Sequence, residues 1–204
     1  MLSLVLIACL GLPSAWGLLR YQQTAVRQMK EAELAAQALH DLAYRDSLTG
    51  AENRRSFMER LGTEFVRLKR THSAAVLIML DIDFFKRVND TFGHDMGDAV
   101  LCHLVAVLQS ALRGMDTLGR LGGEEFAVLL PETSMDAATL LAERLRQAVE
   151  SCPANLDGKQ VAFTISLGVT TLTADTPDVN FALKQADAAM YQAKHMGRNR
   201  VCVA

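Results

Sequence analysis

From residue 74 to residue 80 the chain is apolar without interruption, and it then alternates acid, apolar, acid: AAVLIMLDID. A run of this length, rich in branched residues and ending in acids, predicts a buried strand over 74–83. Further strands are expected at 117–121, 125–130, within 161–172, and at 200–204. Three- and four-residue spacing predicts helices at 53–69, 84–92, 95–112, 134–151 and 180–195, with Gly93 as a hinge between the second and third. Within RLGGEEFAVLL (120–130), two glycines between strand-like segments predict a tight hairpin, because the favoured two-residue turns need positive φ. Helices alternating with strands, plus one hairpin, indicate an α/β layer fold with a mixed five-stranded sheet flanked by helices.

The first nineteen positions follow another pattern. Residues 1–19 carry no charge and Arg20 follows. At 1.5 Å per residue they would span about 28 Å, close to the hydrocarbon thickness of a bilayer. A cleaved signal peptide would want a basic start, which MLSLVLIACL lacks. Arg20, Arg27 and Lys30 all lie after the segment, so the positive-inside rule would leave the rest in the cytoplasm. The expectation is therefore a transmembrane anchor at 1–19 in the inner (cytoplasmic) membrane. A helical linker at 20–45 and a globular domain at 46–204 complete the plan. In the linker Val26, Met29, Ala32, Ala36, Leu39 and Ala43 recur at helical steps, a coiled-coil-like seam too alanine-rich to dimerise strongly alone. A spacer helix packed on its own domain is the plainer alternative.

Composition narrows the partners. Lys and Arg number 21 against 23 Asp and Glu, for a net charge of −2. Nothing there calls for a DNA or RNA polymer, so a nucleotide partner would be small. Cys9, Cys102, Cys152 and Cys202 are far apart and read as reduced, mostly buried thiols. His94 and His103 lack partners at metal-ligand spacing.

Chemistry concentrates in acids. Period two places Asp81 and Asp83 on one strand face, where uncompensated carboxylates are costly. A divalent cation would compensate them; Mg²⁺ takes one or two carboxylates and completes its shell with water and phosphate. An EF-hand loop is excluded, because Phe85 stands where the third oxygen ligand belongs. The plainer reading of these aspartates is a cap on the next helix, and Asp83 is credited with that role. For Glu124 and Glu125 the plainer reading is a solvated turn.

Four stretches, DSLTGAENRR (46–55), DIDFFKRVNDTFGHDMGD (81–98), RLGGEEF (120–126) and YQAKHMGRNRV (191–201), stand in the order and spacing of the diguanylate cyclase, or GGDEF, domain family. The chain resembles that family from about residue 41 to 204. It departs in having Glu124 where aspartate is usual and Ala51 where leucine is common. The resemblance implies a fold like the palm of nucleotide cyclases, with a ferredoxin-like core. It also implies condensation of two GTP into cyclic di-GMP and two pyrophosphates, with two Mg²⁺ or Mn²⁺ ions per active site and two domains facing each other as a homodimer. By position, Asp81, the Ile82 carbonyl and Glu124 would be metal ligands. Glu125 would activate the 3′-hydroxyl or act purely electrostatically.

The same resemblance assigns the triphosphate to Lys86, Lys194 and Arg198, helped by the N–H groups of Phe84 and Phe85 at a helix start. Gly122 and Gly123 would let the backbone approach the nucleotide, and Asn89 and Asp98 would read guanine. Arg113-x-x-Asp116 would bind cyclic di-GMP as a product inhibitor, with Arg144 contributed by another subunit. Read without the resemblance, KHMGRNR is a solvated helix end and the R-x-x-D a surface ion pair. Two rival functions remain open: a catalytically silent receptor for GTP or cyclic di-GMP, and a cyclase making a mixed adenine–guanine dinucleotide, against which Asp98 speaks.

Overall fold

The apolar run at 74–83 supplies the central strand of the sheet. The structure is a computed structural model that describes residues 2–204; in the first helix, side chains are described at 16, 17, 20–35, 37, 41, 43 and 44. The elements are α1 (Leu2–Tyr44), β1 (Glu52–Asn53), α2 (Arg54–Thr71), β2 (Ala75–Ile82), α3 (Phe85–Phe92), α4 (His94–Ala111), β3 (Thr117–Gly122) and β4 (Glu125–Pro131). They continue with α5 (Met135–Ser151), β5 (Ala154–Leu156), β6 (Lys159–Val161), β7 (Ile165–Leu172), α6 (Val179–His195) and β8 (Val201–Val203). The chain divides into two compact units, Met1–Ala43 and Tyr44–Ala204.

In the second unit six strands form a mixed sheet in the order β1-β3-β4-β2-β7-β8. β2 is antiparallel to both β4 and β7, while β1 runs parallel to β3 and β8 parallel to β7. The sheet thus has six strands rather than the expected five. The extra one, β1, is two residues long and too short to show any periodicity. The stretch 161–172 also divides: Val161 closes a separate β5–β6 pair, and β7 begins at Ile165.

Every residue of β2 is buried, and its two faces serve two cores. Val76, Ile78, Leu80 and Ile82 pack with Val100 and Leu104 of α4 and Leu145 of α5. Ala75, Leu77 and Met79 pack with Phe57 and Leu61 of α2 and Ala186 and Met190 of α6. Each large side chain so buried stabilises the fold by roughly 1.5–3 kcal/mol. The helices start at local caps: Asn53, Ser134 and Asp178 accept from Ser56, Ala137 and Phe181 N–H groups at 3.0, 3.3 and 2.8 Å.

α6 lies against β7 at a distance only glycine permits. A Cβ at Gly168 would stand 2.1 Å from the Ala186 carbonyl oxygen and 2.2 Å from Met190 N. Backbone atoms cannot step aside as a flexible side chain can. Gly168→Ala should therefore cost about 3 kcal/mol in urea unfolding; a loss below about 1 kcal/mol would mean that α6 slides freely on the sheet.

Two expectations are corrected. Among the described residues no helix is long and apolar enough to cross a membrane, which overturns the expected inner-membrane location; the anchor expected at 1–19 falls on positions of which only 16 and 17 have described side chains. α1 continues beyond the expected segment through exposed Arg20, Arg27, Lys30, Glu31 and Glu33. The side chains at 1–15, 18 and 19 lie outside the described residues. The thiols of the second unit are less buried than composition suggests: Cys102 and Cys152 are exposed and Cys202 is half-buried.

Candidate active site

The site forms where β2 runs out of apolar residues. Asp81 is 5% exposed and pairs across the sheet with Glu125 of β4 and Ser166 of β7. From the end of α6, Lys194 Nζ reaches Asp81 Oδ2 at 2.8 Å. Burial pushes the Asp81 carboxyl up to about 6; the Lys194 ammonium pulls against this, and the charges of Glu124 and Glu125 add to it. Three carboxylates and one ammonium thus share the end of the central strand.

The hairpin that brings the glutamates is held from behind. Gly122 and Gly123 take φ of 155° and 53°, the β3–β4 register shifts between Arg120 and Gly122, and Glu124 sits half-buried at the tip beside exposed Glu125. Arg120 donates from Nε and Nη2 to the Gly123 carbonyl at 3.0 and 2.8 Å, and from Nη1 to Asp46 Oδ1 at 2.9 Å. Asp46 also accepts from Thr49 N–H and Oγ1–H at 2.9 and 2.6 Å. Burial pushes its carboxyl upward, but the Thr49 and Arg120 hydrogen bonds outweigh that and hold it below its ordinary range. Sequence reasoning passed over this tie, although its two charges open two of the quoted motifs.

Asp83 does not cap α3. The cap position is Phe84, in the left-handed region at φ 57° with no side-chain hydrogen bond. The Asp83 carboxylate turns into the protein and accepts from Thr164 Oγ1, Ser166 Oγ and Asn199 N–H at 2.7, 2.6 and 3.0 Å. A local rule for acids before helices loses here to three donors supplied by distant segments. The Phe84 ring faces outward, and the Arg198 guanidinium lies over it at 4.2 Å from the ring centre. Phe85 is buried, and Lys86 is exposed on the first turn of α3.

Around the Gly93 hinge, α3 and α4 bring Asn89 to Gly97, the neighbour of exposed Asp98. A Cβ at Gly97 would stand 1.9 Å from Asn89 Oδ1, so glycine leaves the Asn89 amide its place. Sequence reasoning missed Gly97, whose only signal was its place in GHDMGD. Arg113 and Asp116 also meet, but not as an ion pair. Asp116 Oδ2 accepts from the Arg113 backbone N–H at 2.8 Å, closing a turn between α4 and β3. Arg144 is exposed on α5.

The donor set suits a hard divalent cation. Among the described residues no group of three or more His, Cys, Asp or Glu is arranged to hold a metal, and the candidate ligands are two carboxylates with one carbonyl. Asp81 already takes a cationic partner, the Lys194 ammonium, at Oδ2. Magnesium commonly binds through so few carboxylates when phosphate supplies the rest.

A mixed sheet that ends its central strand in carboxylates, faced by a glycine hairpin and flanked by a basic turn, places the domain among palm-like α/β folds. The chain belongs to the diguanylate cyclase, GGDEF domain family, whose model matches residues 43–200. It is 40% identical over 189 residues to Diguanylate cyclase DgcP of Pseudomonas aeruginosa, covering 89% of this chain and 28% of DgcP. It therefore spans less than a third of that relative's length. The coiled coil and GGDEF domain of DgcB from Caulobacter crescentus, solved in complex with c-di-GMP, superposes with a TM-score of 0.81 at 27% identity. That match covers 92% of this chain and 99% of the DgcB chain. The active GGEEF domain of a diguanylate cyclase from Vibrio cholerae matches at 38% identity and a TM-score of 0.69, covering 74% of this chain and 96% of that one.

Proposed function

We propose that the chain is a diguanylate cyclase, joining two GTP into cyclic di-GMP with release of two pyrophosphates. The observation that carries this reading is the cluster of Asp81, Glu124 and Glu125 opposite Lys194 and Arg198, in a domain of this family. Asp81, the Ile82 carbonyl and Glu124 would hold two Mg²⁺ or Mn²⁺ ions, which when bound neutralise charge at the α-phosphate and the leaving pyrophosphate. Lys86, Lys194 and Arg198 grip the triphosphate, with the N–H groups of Phe84 and Phe85 at the start of α3. Asn89 and Asp98 read guanine, the amide toward its acceptor edge and the carboxylate toward its donors. Gly122 and Gly123 keep the hairpin backbone open to the nucleotide. The 3′-hydroxyl of a GTP held by a facing domain would lose its proton to Glu125, or to water if Glu125 acts purely electrostatically. That oxygen then bonds to the α-phosphorus as pyrophosphate departs, and a second such step closes the ring. A GGEEF domain being described as active in the Vibrio relative supports reading Glu124 as competent.

Incubation with GTP and Mg²⁺, with chromatography of the products, tests this. Cyclic di-GMP and pyrophosphate in a one-to-two ratio are expected. Bound GTP without product would make the chain a silent receptor.

Product control is proposed at Arg113 and Asp116, with Arg144 from a second copy, and the complex of DgcB with c-di-GMP supports a product site in such domains. Because Asp116 engages the Arg113 backbone, the Arg113 guanidinium is not committed to that carboxylate and can serve a phosphate or a guanine edge. Arg113→Ala should raise the concentration of cyclic di-GMP needed for half-inhibition by about tenfold or more, with the initial rate nearly unchanged. Unchanged inhibition would remove Arg113 from the product site.

A further inference from the structure

We propose that Asp83 is a positioning residue for the triphosphate. It locks the turn 197–199, and so aims Arg198, against the Phe84 wall of the same site; this rests on the reading of Lys194, Arg198 and Phe84 as the GTP cradle. Asp83 is 4% exposed, and a carboxylate so placed must be fully hydrogen-bonded to be tolerated. Its donors come from two places. Thr164 and Ser166 hold it to the sheet, and the Asn199 N–H, 116 positions further along the chain, ties it to the turn after α6.

That turn is bound on every side. Arg198 N–H donates to the Ala193 carbonyl at 2.9 Å. The Asn199 amide accepts from Arg146 Nη1 at 2.6 Å and donates to Glu150 Oε1 at 2.7 Å. Arg198 and Asn199 lie consecutively at φ 64° and 46°. Two successive residues of this kind persist only where their surroundings over-determine them. Asp83 precedes Phe84, and Asn199 follows Arg198. The Asp83–Asn199 hydrogen bond therefore ties together the backbone beside each of the two residues whose side chains stack at 4.2 Å. Asp83 touches no reacting atom in this arrangement; it acts through Arg198.

Asp83→Asn keeps the shape, and the Thr164 and Ser166 hydroxyls can rotate to meet an amide. The charge that holds the Asn199 N–H is lost. Calorimetry with Mg²⁺ and the α,β-methylene analogue of GTP should show binding about tenfold weaker, the size of one hydrogen bond to a charged group. Binding of GMP, which lacks the outer phosphates, should change by less than about twofold. In an Arg198→Ala background the Asp83→Asn change should add almost nothing, because the two act as one unit. Thr164→Val, which removes one donor and keeps the charge, should shift triphosphate binding in the same direction by a smaller factor, and it carries the test if Asp83→Asn does not fold. Equal losses for GMP and the triphosphate analogue, additive effects with Arg198→Ala, or no loss would each overturn the proposal. A wild-type chain that binds the analogue but forms no cyclic di-GMP would overturn the cyclase reading alone; one that does not bind it would overturn both.

Discussion

Asp81→Asn should lower cyclic di-GMP formation by roughly a thousandfold, about 4 kcal/mol of transition-state stabilisation, and should make the metal-free protein more stable at neutral pH. The two effects have one cause. Burial beside Glu124 and Glu125 lifts the folded Asp81 carboxyl to about 6 from an ordinary 3.8, with the Lys194 ammonium compensating only in part. Between about pH 4 and 6 the folded state therefore binds more protons than the unfolded state, and stability falls as pH rises through that window. Above the folded value the penalty is fully present, on the order of 3 kcal/mol. Asparagine removes it while matching the shape. In EDTA, thermal unfolding of the variant should start above wild type at pH 7.5, and the difference should close as pH falls below about 4. Near-normal turnover at saturating Mg²⁺ would end the metal-ligand assignment; a variant less stable than wild type at pH 7.5 would show that the Lys194 pair outweighs the burial.

Removing residues 1–43 should leave a folded domain whose specific activity climbs with protein concentration. At micromolar concentration it should fall about tenfold or more below the full chain. The proposed reaction needs two domains, so any segment that pairs chains raises the effective concentration of the second half-site. Val26 and Met29 of α1 are 65% and 75% exposed within their own unit, at a spacing suited to a helical partner. The match to DgcB includes a coiled coil together with the GGDEF domain. A parallel two-stranded coiled coil fused ahead of Arg45 in the right helical phase should restore activity at low concentration. Equal, concentration-independent specific activity for the two forms would leave α1 without a part in pairing.

Local rules carried far in this chain. The helices observed at 54–71, 85–92, 94–111, 135–151 and 179–195 begin and end within two residues of where apolar spacing puts them. That follows because side-chain spacing and caps lie within a few positions of one another. The buried strand at 75–82 and the glycine hairpin are equally local. The strands that escaped are short and depend on partners. β1 exists because Glu52 and Asn53 meet Gly119 and Arg120. The β5–β6 pair offered one signal, Asp157–Gly158 at φ 51° and 80°, between segments of three residues each.

Sequence by itself determined the α/β class, the family resemblance and the residue types at the site: acids ending a buried run, glycines before two glutamates, basic groups after the last helix. These are properties of short windows, where chemistry and spacing are read together. Tertiary structure alone decided what those groups do to one another. It turned Asp83 from a helix cap into the anchor of a turn 116 positions away. It joined Asp46 to Arg120 across 74 positions, behind the hairpin. It also set Lys194 on Asp81, through the close approach of α6 that Gly168 allows. A carboxylate's role depends on which donors reach it and how much water is excluded, and both are settled by strand register and helix packing rather than by neighbours in the chain.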